Sequence, residues 1–498
     1  METGIVISLG VYFAAMLAIG LWAWRRATSD ISGYLLGGRK LSPPVAALSA
    51  GASDMSGWLL LGLPGAAYVS GLSAGWIAIG LFAGAFANYL IVAPRLRVHT
   101  ERTGDAITIP EYFEKRFADD SHALRVIASI VIILFFTLYT SSGIVAGGKL
   151  FESAFGAPYA LGLWLTAGVV VAYTLFGGFL AVSLTDFVQG IIMFAALVLV
   201  PIVAFAALDG NVAAEVGRVN PDALDLLAGT TALGILSSLA WGLGYFGQPH
   251  IIVRFMAVRS VRDVPAMRNI GMSWMAVTLT GSLATGFVGL AYATRNGIAV
   301  DDPETIFILL AQILFQPLVT GFLLAALLAA IMSTISSQLL VSSSSLTEDF
   351  YRLYVRRKAS QRELVTVGRV CVVAVALVAI LLAYDPDSNI LALVADAWAG
   401  FGAAFGPIVI LALTWKRLTR DGALAGMVTG AATVMLWIAP ALPGGGSIED
   451  VSVYSMIPGF ALCALMAILV SLAGRAPPAN IVRTFEDSEA ERIAASAR

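Results

Sequence analysis

Charge is scarce in this sequence. Of 498 residues only 12% are Asp, Glu, Lys or Arg, against 58% hydrophobic, and the mean hydropathy is +0.85. Soluble domains carry about a quarter charged residues, so a water-soluble enzyme of this length is excluded, and so is a disordered chain. Cysteine is nearly absent: Cys371 and Cys463 each lie inside an apolar run, which excludes a disulfide scaffold. The three histidines are scattered at 99, 122 and 250, so no zinc or haem ligand set assembles. A net charge of -2 leaves no basic surface for nucleic acid.

What is abundant is long apolar stretches, and they do not alternate as barrel strands do. A bilayer-crossing helix needs about 20 mostly apolar residues. Thirteen candidate spans fall near 5–24, 42–68, 71–93, 126–150, 157–178, 185–207, 229–250, 270–293, 306–345, 366–384, 389–414, 421–440 and 453–474. Pro317 is expected to split a short leading helix from span 9. The loops following spans 1, 3, 7, 9 and 11, with the C-terminal tail, hold 27 of the 30 lysines and arginines, Arg254 counted among them. The opposite loops are acidic, with Asp209, Glu215, Asp301, Asp302, Glu304, Asp385, Asp387, Glu449 and Asp450. The positive-inside rule then puts the N-terminus outside and the C-terminus in the cytoplasm. The chain opens Met-Glu and its first apolar stretch is too long for a leader, so no cleavable signal is expected. The tail after span 13 is too short for an attached domain.

Two spans are interrupted. Span 2 reads Ala50-Gly51-Ala52-Ser53-Asp54-Met55-Ser56-Gly57-Trp58, followed by Gly62 and Pro64-Gly65. Small residues can mark tight helix packing, but a carboxylate at this depth is expensive and needs a partner. Span 7 reads Trp241-Gly242-Leu243-Gly244-Tyr245-Phe246-Gly247-Gln248-Pro249, with aromatic rings around the glycines. Glycine and proline weaken a helix by about 1 and 3 kcal/mol each. The two spans are five apart and run in opposite directions. Matching interruptions in inverted halves point to a transporter binding site. Spans 2–6 (42–208) and 7–11 (229–418) are therefore expected to be inverted repeats. Span 1 with its loop (1–41), spans 12–13 (419–475) and a cytoplasmic tail (476–498) lie outside them. In span 9, Ala330, Ser333, Thr334 and Ser337 follow i, i+3, i+4, i+7 and form one stripe. Hydroxyls bonding back to their own helix explain one such residue comfortably, a dense stripe less well. Oxygen donors suit a hard cation such as Na+.

These three segments, 49–58, 241–251 and 330–340, with Leu-Thr-Asp-Phe-Val-Gln-Gly at 184–190, resemble the proline branch of the sodium/solute symporter family over nearly the whole chain. The resemblance implies an all-α membrane protein with a LeuT-like core of five plus five inverted helices. It implies no enzyme activity and no organic cofactor or obligate protein partner, but Na+-coupled import of L-proline across the bacterial inner membrane by alternating access. Another small carboxylate, amino acid, sugar or vitamin is the other substrate reading within the family. Carried over by position, the Na+ ligands are the carbonyls of Ala52, Met55 and Ala330 and the hydroxyls of Ser333 and Thr334. Asp54, Ser56 and Gly57 take roles in ion coupling and access. Trp58, Tyr139, Trp241, Tyr245 and Pro249 contact substrate. Asp186, placed at the start of span 6, is read first as a helix N-cap and second as one ligand of a further Na+ shared with Ser336 and Ser337. The adjacent pair Ser336-Ser337 is more polar than is usual in the branch.

Overall fold

The computed structural model describes residues 2–26, 31–208, 211–386, 389–438 and 453–496, so Asp209, Asp387, Glu449 and Asp450 of the acidic loops lie outside the described residues. The described chain is helical, with one isolated parallel bridge between Leu41 and Val258. Ten helices among the described residues are long and apolar enough to cross a membrane. The shorter apolar helices Tyr159–Leu175 and Ala232–Gly247 fall in spans 5 and 7. The stretch Gly57–Arg102 runs on from the second half of span 2 into span 3. Gly71 turns that junction at φ 65°, ψ -142°, a conformation closed to other residues.

Burial orders the helices. Span 9, continued as Pro317–Val355, and span 11, Ile390–Thr414, are each 83% buried along their apolar window, against 28% for spans 1 and 13. Pro317 stands in the first turn of the helix Pro317–Ser344, where its missing N–H costs nothing. The helix Ile306–Leu314 precedes it as a separate piece, as the proline predicts. Spans 3 and 7 approach closely through Gly80, Gly84 and Gly242, where a β-carbon would run into the facing backbone.

Two boundaries differ from the sequence expectation. Spans 5 and 6 form one helical run, Tyr159–Ala206, jointed at Gly178 (φ 57°, ψ -155°). Span 6 therefore begins at Gly178 rather than 185, and Asp186 stands two turns inside it, too deep to be an N-cap. Span 7 does not end at His250: Pro249 starts a second half-helix, Pro249–Ala257, whose Ile251, Ile252, Val253, Phe255 and Met256 are all buried. Arg254 is consequently an interior residue, 1% exposed, and not a loop cation. Ala479–Ser496 is a helix that packs Ile481 and Phe485 against the end of span 3.

Candidate functional site: the broken helices and the oxygen cluster of span 9

The first half of span 2, Pro43–Asp54, stops where Met55 leaves helical geometry (φ -80°, ψ 55°). One tight turn, Gly57–Leu59, follows before the helix resumes at Gly62. The Ser56 amide turns back to the Asp54 carbonyl at 2.9 Å, so it does not close onto Ala52. The Ala52 carbonyl accepts instead from the Ser333 hydroxyl at 2.7 Å. Ser333 also reaches the Ala330 carbonyl at 3.1 Å, and Thr334 reaches the same oxygen at 3.3 Å. Two carbonyls and two hydroxyls, all buried, thus meet between the break and span 9. Each hydroxyl now donates. A cation set among these oxygens would turn both hydroxyls into acceptors, leaving an all-oxygen donor set of the kind a hard cation takes. Met55 sits buried at the broken end, one turn beyond Ala52. Gly57 lies where a β-carbon would strike Ala146 of span 4 and Ile331 of span 9, so its lack of side chain permits the close approach.

Asp54 is not in the oxygen cluster. Its Oδ2 accepts from the Tyr245 hydroxyl at 2.5 Å, which ties break to break, and its Oδ1 has no hydrogen-bond partner among the described residues. Its carbonyl accepts from the Tyr139 hydroxyl at 3.4 Å. Asp54 borders a cavity of about 30 Å³ with Asn88, Tyr89, Tyr245 and Trp274. Ser56 accepts from the Trp58 amide at 3.4 Å and shapes the tight turn.

Span 7 runs Ala232–Leu239, then a tightened run Ala240–Gly247, then Gln248 in extended geometry before Pro249. Trp241 stands 6.4 Å from Trp58 between ring centres. On its other side it stacks on Tyr454 at 5.5 Å and 21°. The Trp241 carbonyl accepts from the indole of Trp398 at 2.7 Å, and Trp398 meets Tyr245 edge-on at 5.2 Å. Gly244 has no room for a β-carbon because the Trp398 ring fills it. Trp58, Tyr139, Trp241 and Tyr245 are therefore brought together. Pro249 lines a different cavity, of about 20 Å³, with Arg254 and Ser337.

Arg254, Trp398 and Tyr454 were missed in the sequence. The Arg254 guanidinium sits among the residues considered for a second cation. It reaches Asp186 at 3.1 Å, Ser337 at 2.6 Å, Ser49 at 3.1 Å and the His250 carbonyl at 2.5 Å. Ser49 also donates to Asp186 at 2.7 Å. Ser336 turns away and donates to the Ser333 carbonyl at 3.0 Å. The available signal was a lone cation in Pro249-His250-Ile251-Ile252-Val253-Arg254-Phe255-Met256, apolar on both sides.

Two broken helices facing a hydroxyl-bearing central helix, with half-helix ends and free carbonyls at the breaks, define a cation-coupled secondary transporter. The chain belongs to the sodium:solute symporter family, whose model matches residues 34–430. It is 58% identical to the osmoregulated proline transporter OpuE of Bacillus subtilis, over 97% of this chain and 98% of that one. It is 54% identical to a sodium/proline symporter of Staphylococcus aureus, over 95% and 94%. Among solved structures it is similar to a Na+-coupled sialic acid symporter in a substrate-bound, outward-open state (TM-score 0.80, 18% identity, 96% of this chain and 99% of that one). It is also similar to the nucleobase-cation-symport-1 transporter Mhp1 in a closed conformation (TM-score 0.55, 12% identity, 91% and 98%). At these identities the two structures show the shared fold, a LeuT-like one.

Proposed function

We propose that this chain imports L-proline together with Na+, through thirteen spans whose 42–208 and 229–418 segments act as inverted repeats. The N-terminus faces outward and the C-terminus faces the cytoplasm of a bacterial inner membrane. The reading rests above all on the 2.7 Å link from Ser333 to the Ala52 carbonyl, where the span 2 break meets the hydroxyl stripe. The names of relatives more than half identical supply the substrate.

Na+ takes Ala52, Met55, Ala330, Ser333 and Thr334 as ligands and holds span 2 against span 9. That favours the state whose outer side accepts substrate. Proline lies with its ring on the faces of Trp58, Tyr139, Trp241 and Tyr245, and its carboxylate at amides the breaks leave free. Closure over proline then lets the inner side open. Asp54, through Tyr245, makes each break sense the other, and Ser56 and Gly57 keep the turn tight enough for spans 4 and 9 to close on it. Pro249 sets the direction of the second half-helix beneath the substrate. Each proline carries one net positive charge inward, and the membrane potential contributes about 2.3 kcal/mol per charge per 100 mV. Asp186 and Ser337 already hold a tethered cation in Arg254. This favours a single transported Na+ over a second one at Asp186, Ser336 and Ser337.

The test is uptake of labelled proline into proteoliposomes. An inward Na+ gradient should drive accumulation above the external concentration, and a K+ gradient of the same size should not. Accumulation indifferent to Na+ contradicts the proposal.

A further inference from the structure

Span 13 lies outside the two repeats, yet it supplies a ring to the aromatic cluster. Tyr454, two residues before the helix Met456–Ala473, stacks on Trp241 with 5.5 Å between ring centres and 21° between planes. The polar groups of Tyr454 are spent on holding it there. Its amide donates to the Ser237 hydroxyl at 3.1 Å, and its hydroxyl donates to the Ala395 carbonyl at 2.7 Å. Its carbonyl accepts from the Ile457 amide at 2.9 Å. Ser237 stands four residues before Trp241 on span 7, and Ala395 lies in the second turn of span 11. The flanking residues are fixed as well. The Val453 carbonyl accepts from the Trp437 indole of span 12 at 3.1 Å. Met456 is fully buried and fills the space beside Gly402 of span 11, where a β-carbon would collide with it.

Trp241 needs such a support. The bond from Trp398 holds the Trp241 carbonyl, which fixes the backbone and leaves the ring free to turn about its two side-chain torsions. The next positions along the tightened run, Gly242 and Gly244, have no side chains to pack against the indole. Its orientation is set by ring contacts, with Trp58 at 6.4 Å and 48° and with the stacked Tyr454. Stacked and tilted aromatic pairs prefer definite geometries. A hydrophobic pocket discriminates one methylene by about 10- to 200-fold. It does so because close-packed walls have no spare volume for the extra group. A wall that can retreat forfeits that discrimination.

We propose that Tyr454 is the positioning residue for ring-size selectivity. It holds the Trp241 indole in place, so that the site fits the five-membered ring of proline and rejects the six-membered homologue pipecolate, which carries one more methylene. Tyr454 acts through Trp241 and not by touching the substrate. The inference rests on the reading that proline lies on Trp241, and it makes span 13 part of substrate recognition.

The test is uptake of labelled proline and labelled pipecolate by full-length chains in proteoliposomes under one inward Na+ gradient. The readout is the ratio of kcat/KM for pipecolate to that for proline. Tyr454→Ala should raise this ratio about tenfold, with its effect on proline falling on KM more than on kcat. Tyr454→Phe keeps the stacked ring and should shift the ratio less. Trp241→Ala should itself raise the ratio, and adding Tyr454→Ala to it should change the ratio no further, as two residues acting through one wall require. A purely structural role would depress both substrates in proportion and leave the ratio where it was. An unchanged ratio in Tyr454→Ala, a shift in Tyr454→Phe as large as in Tyr454→Ala, or a further rise in the double variant overturns the proposal. Should Tyr454→Ala not fold, Tyr454→Leu fills most of the space without a flat ring and takes its place, with the same rise expected and the same unchanged ratio fatal. A wild-type chain without Na+-driven proline uptake would sink the transport reading together with this one. An unchanged ratio in a chain that does accumulate proline sinks this one alone.

Discussion

Ser333 donates its hydroxyl hydrogen to the carbonyl of Ala52 across 2.7 Å, from one of the two most buried spans among the described residues to the broken end of span 2. The Ala52 carbonyl is left to this hydroxyl because the break turns its helical donor, the Ser56 amide, back to Asp54. A small cation arriving there replaces a hydrogen bond by two coordinate bonds, and the position of span 2 relative to span 9 becomes dependent on the ion.

Ser333→Ala and Thr334→Ala should each raise the Na+ concentration for half-maximal uptake on the order of tenfold or more, the equivalent of about 1.4 kcal/mol. Na+ titrations at saturating proline check this. Unchanged Na+ activation in both variants removes the site.

Trp241→Ala and Tyr139→Ala should weaken proline binding while leaving Na+ binding in the absence of proline nearly intact. Trp398→Phe should act in the same direction but more weakly. It keeps the aromatic ring and loses one neutral hydrogen bond, worth about 1 kcal/mol or roughly fivefold in affinity. Paired Na+ and proline binding curves separate this from a general loss of fold, which would depress both.

Asp186→Asn or Arg254→Gln alone leaves one charge buried without its counterpart, a cost of about 3–5 kcal/mol. The double variant should therefore be more stable than either single one, read from thermal unfolding of the purified proteins. The ratio of charge to proline should be one in the wild-type chain. A ratio of two that falls in Asp186→Asn would show that a second Na+ enters despite Arg254.

Asp119 joins the loop after the helix Ile109–Phe117 to the start of span 12. Burial pushes its carboxyl up, but the Ser121 hydroxyl, the Leu124 amide and the Arg420 guanidinium outweigh it and hold the group below its ordinary value of 3.8. A depressed folded value means stability that is fully present above the ordinary value and is lost as pH falls through the folded one. Asp119→Asn should lower Tm at neutral pH, and the gap to wild type should close below about pH 4.

The fold was legible wherever a single physical rule governs a stretch of chain. Span lengths follow from hydrocarbon thickness, and Gly and Pro announced both broken helices. The i, i+3, i+4, i+7 spacing of Ala330, Ser333, Thr334 and Ser337 puts three hydroxyls on one stripe. Arg254 was illegible for a definite reason. A lone cation near the end of an apolar run looks the same whether it faces the cytoplasm or a buried carboxylate, and its partner Asp186 is 68 residues away. Asp186 was misplaced as an N-cap because helix continuity from Gly178 onward is set by packing, which local sequence does not reveal. Tyr454 belongs to span 13, outside the expected repeats, and only tertiary contact brings its ring onto Trp241. The docked C-terminal helix carries two apolar anchors, Ile481 and Phe485, too few to distinguish it from a solvated tail.

The central claim is that Na+ at Ala52, Ser333 and Thr334 and proline at the aromatic cluster are bound as one coupled unit. Linkage requires each to strengthen the other by the same factor, about 5- to 150-fold in typical coupled sites. The most direct measurement is the equilibrium Kd for proline with and without saturating Na+, beside the Kd for Na+ with and without saturating proline, in the wild-type chain and Ser333→Ala. The account predicts equal factors in the wild-type chain and a factor near one in Ser333→Ala. A proline Kd indifferent to Na+ in the wild-type chain, or coupling untouched by Ser333→Ala, would contradict it.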